Sequence, residues 1–306
     1  MQKVIITGAS GFIGKALTKK LLDEGITVYA VVRNKLKLSD FMHYDNLKII
    51  ECEMKNYKTL NEKIIDRDFD VFFHLAWDGV FGNEFLNYDK QLKNVIFTCD
   101  AFNNAILLNC KKFIFMSTVG RYEVCEYINK NLLNLRVSAI YGMSKLTAEI
   151  LLKTLANKNN NIQLNIICPA IVYGENNHSK MLPNILIENF IQNKAPKLVY
   201  GDFLYDWIYV KDVINGCINV AKFGKNGKTY YLGHRNLKTF KNIVIEVKNI
   251  IAPDLKLKFG DYPDGDLIDY SKIDLNACYI DTGFEATADF KESILKTAEW
   301  LKNNKR

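Results

Sequence analysis

The stretch Lys3-Val-Ile-Ile-Thr-Gly-Ala-Ser-Gly-Phe-Ile-Gly14 decides the fold. Its β-branched run from Val4 to Thr7 predicts a strand over Lys3–Thr7. Gly8, Gly11 and Gly14 follow at once, in the spacing G-x-x-G-x-x-G. From Phe12 to Leu22 apolar residues recur at helical spacing, and Gly25 supplies a C-cap. A strand that turns through glycines into a helix lets a pyrophosphate approach backbone N–H groups at the positive end of that helix. The stretch therefore predicts a dinucleotide site.

The same rhythm continues outward. Strand-like runs at Thr27–Val32, Leu47–Glu51, Val71–Leu75, Lys112–Ser117 and Leu164–Cys168 alternate with helical stretches at Asn87–Leu108 and Met143–Ala156. Near-continuous apolar strands between helices predict an α/β fold, its parallel sheet buried on both faces. Past Tyr173 the rhythm breaks. Helices are predicted at Met181–Gln192, Val210–Phe223 and Phe290–Leu301, a short strand at Lys197–Gly201, and a loop over Asp261–Asp269. No long linker or internal repeat is visible. A dinucleotide-binding unit, 1–173, and a smaller second unit, 174–306, are expected to pack intimately.

Composition narrows the function classes. With 48% hydrophobic and 25% charged residues, 5 Pro and 17 Gly, the chain is an ordinary globular one. No apolar run is long enough to span a bilayer. The chain opens on a strand, not on a charged and then apolar leader, so no secretory signal is expected. The net charge of +7 comes from scattered lysines without a stripe of base-reading aromatics. That favours a solvated surface over nucleic acid, and it helps to attract a diphosphate. Seven cysteines, an odd number without a C-x-x-C, fit a reducing cytoplasm and argue against disulfides or structural zinc. The four histidines are far apart, so no metal site is expected.

Two further features carry chemistry. The second strand ends Val32-Arg33-Asn34, with Lys35 and Lys37 beside it. No carboxylate is present there to accept a ribose 2′-OH, and Arg33 is suited to a 2′-phosphate; this points to NADP, with NAD as the alternative. Tyr141-Gly-Met-Ser-Lys145 places a phenol and an ammonium four apart on one helix face. The ammonium, together with a cationic ring, would favour phenolate and bring the tyrosine toward acid–base work near neutrality. Tyr44–Lys48 has the same spacing but lies in a loop-like stretch. Met116-Ser117-Thr118 ends the fifth strand, where open α/β sheets place their ligands.

Taken together these motifs resemble the extended short-chain dehydrogenase/reductases, in particular the NDP-sugar epimerase/dehydratase/reductase group. The resemblance covers nearly the whole chain and rests on Thr7–Gly14, His74–Trp77, Met116–Thr118, Tyr141–Lys145, Pro169–Gly174 and Asp206–Val210. It implies a Rossmann-type doubly wound sheet with a smaller C-terminal α/β substrate domain. It further implies that Gly8, Gly11, Phe12, Ile13 and Gly14 hold the pyrophosphate, and that Glu53 and Met54 flank the adenine. Leu75 and Ala76 line the cofactor, Lys145 holds the nicotinamide ribose and tunes Tyr141, and Pro169 and Val172 touch the nicotinamide. Thr118 assists the substrate oxygen. Trp77, Ser117, Tyr122, Lys180 and Tyr205 are the expected substrate contacts, and a homodimer through the two long helices is the expected assembly.

Departures from the pattern are informative. Dehydratases of this group carry Asp-Glu after the strand-five threonine, where this chain has Val119-Gly120. An Arg-Asp-Phe segment that clamps diphosphate reads Tyr205-Asp206-Trp207 here, so another cation, such as Lys180, Lys197 or Arg235, is expected to stand in. Ile171 replaces the usual Asn. His74, Cys125 and Cys168 are expected to be structural. The resulting expectation is an NAD(P)-dependent reductase of a nucleotide-linked 4-keto sugar, with hydride transfer at sugar C4. A 4-epimerase with tightly held NAD is the second reading, a 4-dehydrogenase run in the oxidative direction the third, and a non-catalytic dinucleotide sensor the reading of another class.

Overall fold

The computed structural model describes residues 1–131, 133, 135–264 and 268–304. Its strands are β1 (Lys3–Thr7), β2 (Thr27–Val32), β3 (Leu47–Glu51), β4 (Val71–His74), β5 (Lys112–Met116), β6 (Gln163–Pro169), β7 (Ile171–Tyr173), β8 (Leu198–Val199), β9 (Leu204–Tyr205), β10 (Trp207–Tyr209), β11 (Thr229–Leu232), β12 (Lys238–Thr239) and β13 (Phe259–Tyr262). Its helices are α1 (Phe12–Asp23), α2 (Tyr88–Leu107), α3 (Gly120–Asn129), α4 (Ala139–Asn157), α5 (Leu182–Ile191), α6 (Val210–Phe223), α7 (Phe240–Ile251), α8 (Ala277–Thr282) and α9 (Phe290–Asn303).

Seven parallel strands form one sheet in the order β11-β6-β5-β4-β1-β2-β3. The order reverses between β1 and β4, which opens a crevice beyond their carboxyl ends. Side-chain alternation along each strand divides the apolar residues between two cores. Val4 and Ile6 join Leu17 and Leu21 of α1 and Val213 and Cys217 of α6 on one face. Ile5 joins Val95 and Phe102 of α2 and Ala148 and Leu152 of α4 on the other. The strand pattern predicts this α/β fold with a parallel sheet buried on both faces, and the doubly wound order is the one the resemblance implies. A third core, around Trp207, Tyr173 and Phe190, gathers α5, α7 and α9.

The chain does not leave the large sheet for good at Tyr173. β11 returns to pair with β6, and α6 packs beside α1. Buried Lys112 holds the return in place by donating to the carbonyls of Val220, at 3.1 Å, and Gly224, at 3.0 Å, at the end of α6. The lysine thereby caps the end of α6, adding a second bond to Val220 O, which already accepts from Gly224 N–H at 2.9 Å, and reaching Gly224 O just past the helix.

Most predicted elements occur within a residue or two. Gly25 adopts φ +76°, and its N–H reaches Leu22 O at 2.9 Å, closing α1 as expected. α4 begins at Ala139, four residues before the apolar spacing predicts, so Tyr141 lies in its first turn. Part of the Asp261–Asp269 stretch is not loop, because β13 runs to Tyr262 and pairs with β8. Residues 265–267 of that stretch lie outside the described residues.

Candidate active site

At the opening turn Gly8 takes φ +71°, and a side chain there would meet the backbone N of Ala76 at 2.8 Å. Gly14 packs so closely that a Cβ would lie 2.0 Å from Gly8 O. Both positions accept glycine alone, and the result is a backbone-lined hollow. α1 has no side-chain cap and no acid in its first turn. The N–H groups of Phe12, Ile13 and Gly14 therefore face outward without intrahelical partners. The side chains of Phe12 and Ile13 turn away, Phe12 against the third core and Ile13 into the first. Only their backbone is available to a pyrophosphate.

Gly8, Gly11, Arg33, Met54, Leu75 and Ala76 line a cavity of about 180 Å³ at this turn. A second hollow of about 420 Å³ adjoins it through Arg33 and Met54 and is walled by Glu53, Lys90 and Lys93. The two hollows, bordered by open helix N–H groups and a cation, fit a dinucleotide. Exposed Glu53 is tied to Lys55 at 2.7 Å.

Beneath the turn runs a buried hydrogen-bond chain. His74 Nδ1 lies 2.8 Å from Thr7 Oγ1, and Nε2 lies 3.0 Å from Thr98 Oγ1. Thr98 donates its own proton to Asn94 O at 2.8 Å. The Thr98 oxygen must therefore accept from Nε2–H, and Nδ1 must accept from Thr7. Burial holds the imidazole neutral, with its pKa down to about 3. His74 is a strut between β1, β4 and α2, as expected.

Thr118, Tyr141 and Lys145 meet at the end of β5. Lys145 is buried and donates to Met116 O at 2.7 Å. Thr118 lies beside Tyr141, and its hydroxyl favours the charged form of the phenol. Burial pushes the phenol up to about 12, and the Thr118 hydroxyl only partly offsets it. Burial also pulls Lys145 down to about 7, against the opposing pull of Glu149 and Cys168. The sequence predicts a lowered phenol pKa beside a full ammonium. The protein by itself shows the reverse, because a dry corner disfavours both charged forms. The rival pair is no site: Tyr44 bonds Asp23, and Lys48 lies on β3 rather than on a helix with it.

Three expected substrate contacts are placed differently. The Ser117 hydroxyl does not face the cleft; it donates to buried Glu149, which also pairs with Arg121 at 2.9 Å. Trp77 sets its ring against Lys145, with the ammonium 3.8 Å from the indole centroid, and also lines the cavity at the glycine turn. Tyr122 carries the Arg121 guanidinium on its ring at 4.8 Å. Lys180 is exposed ahead of α5. Tyr205 stands edge-on to Phe240 at 5.4 Å, beside a cavity of about 80 Å³ that His234 and Lys238 also line. Pro169 ends β6, and Val172 wedges between two cores. Of the candidate stand-in cations, Arg235 is engaged by Glu285 and by the Tyr279 ring.

Sequence reasoning missed Glu149, Gln91 and the Asp206–His234 pair, whose Oδ1–Nδ1 distance is 2.7 Å. Glu149 had a signal, since it lies one helical turn beyond Lys145. Gln91 and His234 had none. The described residues include no group of side chains that could hold a metal, and no described helix is long and apolar enough to cross a membrane.

A family model described as the NAD dependent epimerase/dehydratase family matches residues 4–233. The chain belongs to that family. A putative UDP-glucose 4-epimerase of Methanocaldococcus jannaschii is 25% identical over 321 residues, covering 99% of each chain. A dTDP-4-dehydro-6-deoxyglucose reductase of Escherichia coli is 26% identical over 258 residues, covering 79% of each. A Bacillus cereus UDP-glucuronic acid 4-epimerase, solved with UDP-glucuronic acid and NAD, superposes with a TM-score of 0.77 at 21% identity, covering 99% of each. This family member is an α/β protein of the short-chain dehydrogenase/reductase type, and its relatives act on nucleotide sugars.

Proposed function

We propose that the protein is an NADP(H)-dependent reductase of a nucleotide-linked 4-keto sugar. The observation that carries this reading is the meeting of Thr118, Tyr141 and Lys145 beyond β5, with Val119 and Gly120 adding no second acid or base. When bound, the reduced dinucleotide supplies a hydride to the sugar's C4 carbonyl. The Tyr141 phenol, neutral in this dry corner, gives its proton to the oxygen that gains the charge. The Thr118 hydroxyl donates to the same oxygen. Lys145 then steadies the phenolate until solvent reprotonates it. One carbonyl, one hydride and one proton give one alcohol.

The Escherichia coli relative favours reduction by its activity. Arg33, set where the two hollows join, favours a 2′-phosphate. The epimerase reading is favoured by the Methanocaldococcus relative and by the NAD in the Bacillus cereus structure. Leu92 and Ile96 of α2 and Met143 and Ile150 of α4 expose apolar side chains on adjoining helices, which supports a homodimer through that face.

The test is a panel of UDP- and dTDP-linked 4-keto sugars with NADPH and NADH. Reduction with NADPH is expected, and Tyr141→Phe should lower kcat by about a thousandfold with cofactor binding kept. Interconversion of NDP-sugar epimers by protein that retains NAD, without added cofactor, would replace this reading with the epimerase. Full activity in Tyr141→Phe would remove the proposed mechanism.

A further inference from the structure

Lys145 is almost fully buried, with 3% of its surface exposed. Its ammonium has one strong acceptor, Met116 O at 2.7 Å. Two of its other neighbours are rings: Trp77, with its centroid at 3.8 Å, and Phe115, at 4.8 Å. The face of an aromatic ring is negative and attracts a cation far more strongly than a neutral amine, and indole does so best. The indole is fixed in place. Its Nε1–H donates to Gln91 Oε1 at 2.8 Å. Gln91, wholly buried on α2, donates in turn to Gly79 O at 2.6 Å and Glu84 O at 3.2 Å. Phe85, from the loop so pinned, lies on the Tyr141 ring at 5.1 Å, and Trp77 meets that ring edge-on at 6.2 Å.

We infer that Trp77 is a positioning residue for the proton transfer: its indole face keeps Lys145 an oriented ammonium beside Tyr141. The inference deepens the reductase proposal and rests on it for its catalytic meaning. The titratable and charged groups around Lys145 are Tyr141 and Glu149 of its own helix, Cys168 of β6, and His74 of β4. Arg121 lies behind Glu149 and neutralises it. Glu149 alone offers a negative charge that favours the ammonium, and it divides that charge among Lys145, Arg121 and Ser117. The indole is thus the nearest unshared attraction for the ammonium after the Met116 carbonyl. Trp77 acts through Lys145, so its loss should show first in the lysine's titration and only then in turnover.

The test has two arms. In the first, the protein is labelled with ¹³Cε-lysine and titrated by NMR, and the Lys145 signal is identified by its absence in Lys145→Met. Trp77→Leu should move that titration down by roughly one pH unit, whereas Trp77→Phe, which keeps a π face but loses the Gln91 bond, should move it by much less. Trp77→Met replaces the leucine variant if that protein does not fold. Equal titration in wild type and in the leucine or methionine variant would overturn the inference. In the second arm, the pH profile of kcat/KM is recorded with NADPH and a 4-keto sugar. The limb that moves with the NMR titration in Trp77→Leu should return toward wild type in Trp77→Phe. A shifted NMR titration in a protein that turns over none of the sugars would leave the Trp77–Lys145 coupling standing and sink the reductase reading alone.

Discussion

The glycine turn after β1 and the Tyr141–Lys145 corner beyond β5 lie at the carboxyl ends of the same sheet, yet they are made of different materials. The turn is backbone. Its shape follows from what cannot be there: a Cβ at residue 8 or residue 14 would collide with main-chain atoms. The corner is side chain. Its properties follow from what surrounds it, since burial moves the phenol up to about 12 and the lysine down to about 7. A backbone site is indifferent to pH and sensitive to a single added methyl group. A dry side-chain site tolerates changes of shape but answers to every charge and ring nearby.

The sharpest way to break this contrast is Gly14→Ala. The new methyl group would be driven against Gly8 O, a main-chain atom that cannot swing aside. Dinucleotide affinity, read by fluorescence titration, should fall by at least about a hundredfold, equivalent to about 2.7 kcal/mol. The drop should be the same at pH 6 and pH 9. A pH-dependent loss would mean that side chains, not the turn, carry the binding.

Lys145→Met probes the other material. The folded-state pKa of about 7 lies below the ordinary lysine value of 10.5, so between those values the folded protein binds fewer protons than the unfolded chain. Wild-type stability must therefore climb as pH rises from 7 to 10, and the burial penalty is complete at and below pH 7. The methionine variant lacks this slope. By urea denaturation it should be the more stable protein at pH 7, by on the order of 2 kcal/mol, with the advantage shrinking toward pH 10. Parallel pH curves for the two proteins would show that Lys145 is not held in a desolvated corner.

The two materials also differ in how far they can be read from sequence. Gly8, Gly11 and Gly14 announce the turn because glycine spacing is local and its strand and helix flank it directly. The Tyr141–Lys145 spacing is local too, and so was legible. The contact of Trp77 with Lys145 was not, because only the pairing of β4 with β5 brings the two together. Glu149 stood one turn from Lys145, but nothing local says that Ser117 and Arg121 converge on it. In the fold, β7 hid behind Pro169 as a continuation of β6, and β11 is a four-residue run whose place in the large sheet depends on the return of α6. Short strands and long-range pairs lack periodicity of their own.

Arg33→Ser tests the seam between the two hollows. An exposed guanidinium contributes less than a buried one, and its contact would be with a doubly charged 2′-phosphate. The ratio of NADPH to NADH affinity should fall about tenfold, and the effect should fade in high salt. An unchanged ratio would move the discrimination to Lys90 or Lys93, or give the site to NAD.

The smallest effect belongs to the strut beneath the turn. Thr98→Val removes the acceptor for His74 Nε2–H and fills nearly the same volume. An orphaned donor in a fully buried site should cost roughly 1–2 kcal/mol of stability. Because His74 stays neutral in the folded protein down to about pH 3 while the unfolded chain takes up its proton near 6.5, the wild type already loses stability as pH falls through that interval. The valine change adds a constant offset to that loss, visible as parallel pH curves of melting temperature, and leaves dinucleotide affinity within about twofold. A larger fall in affinity would mean that the turn is not a self-sufficient backbone device and depends on the Thr7–His74–Thr98 chain that supports it.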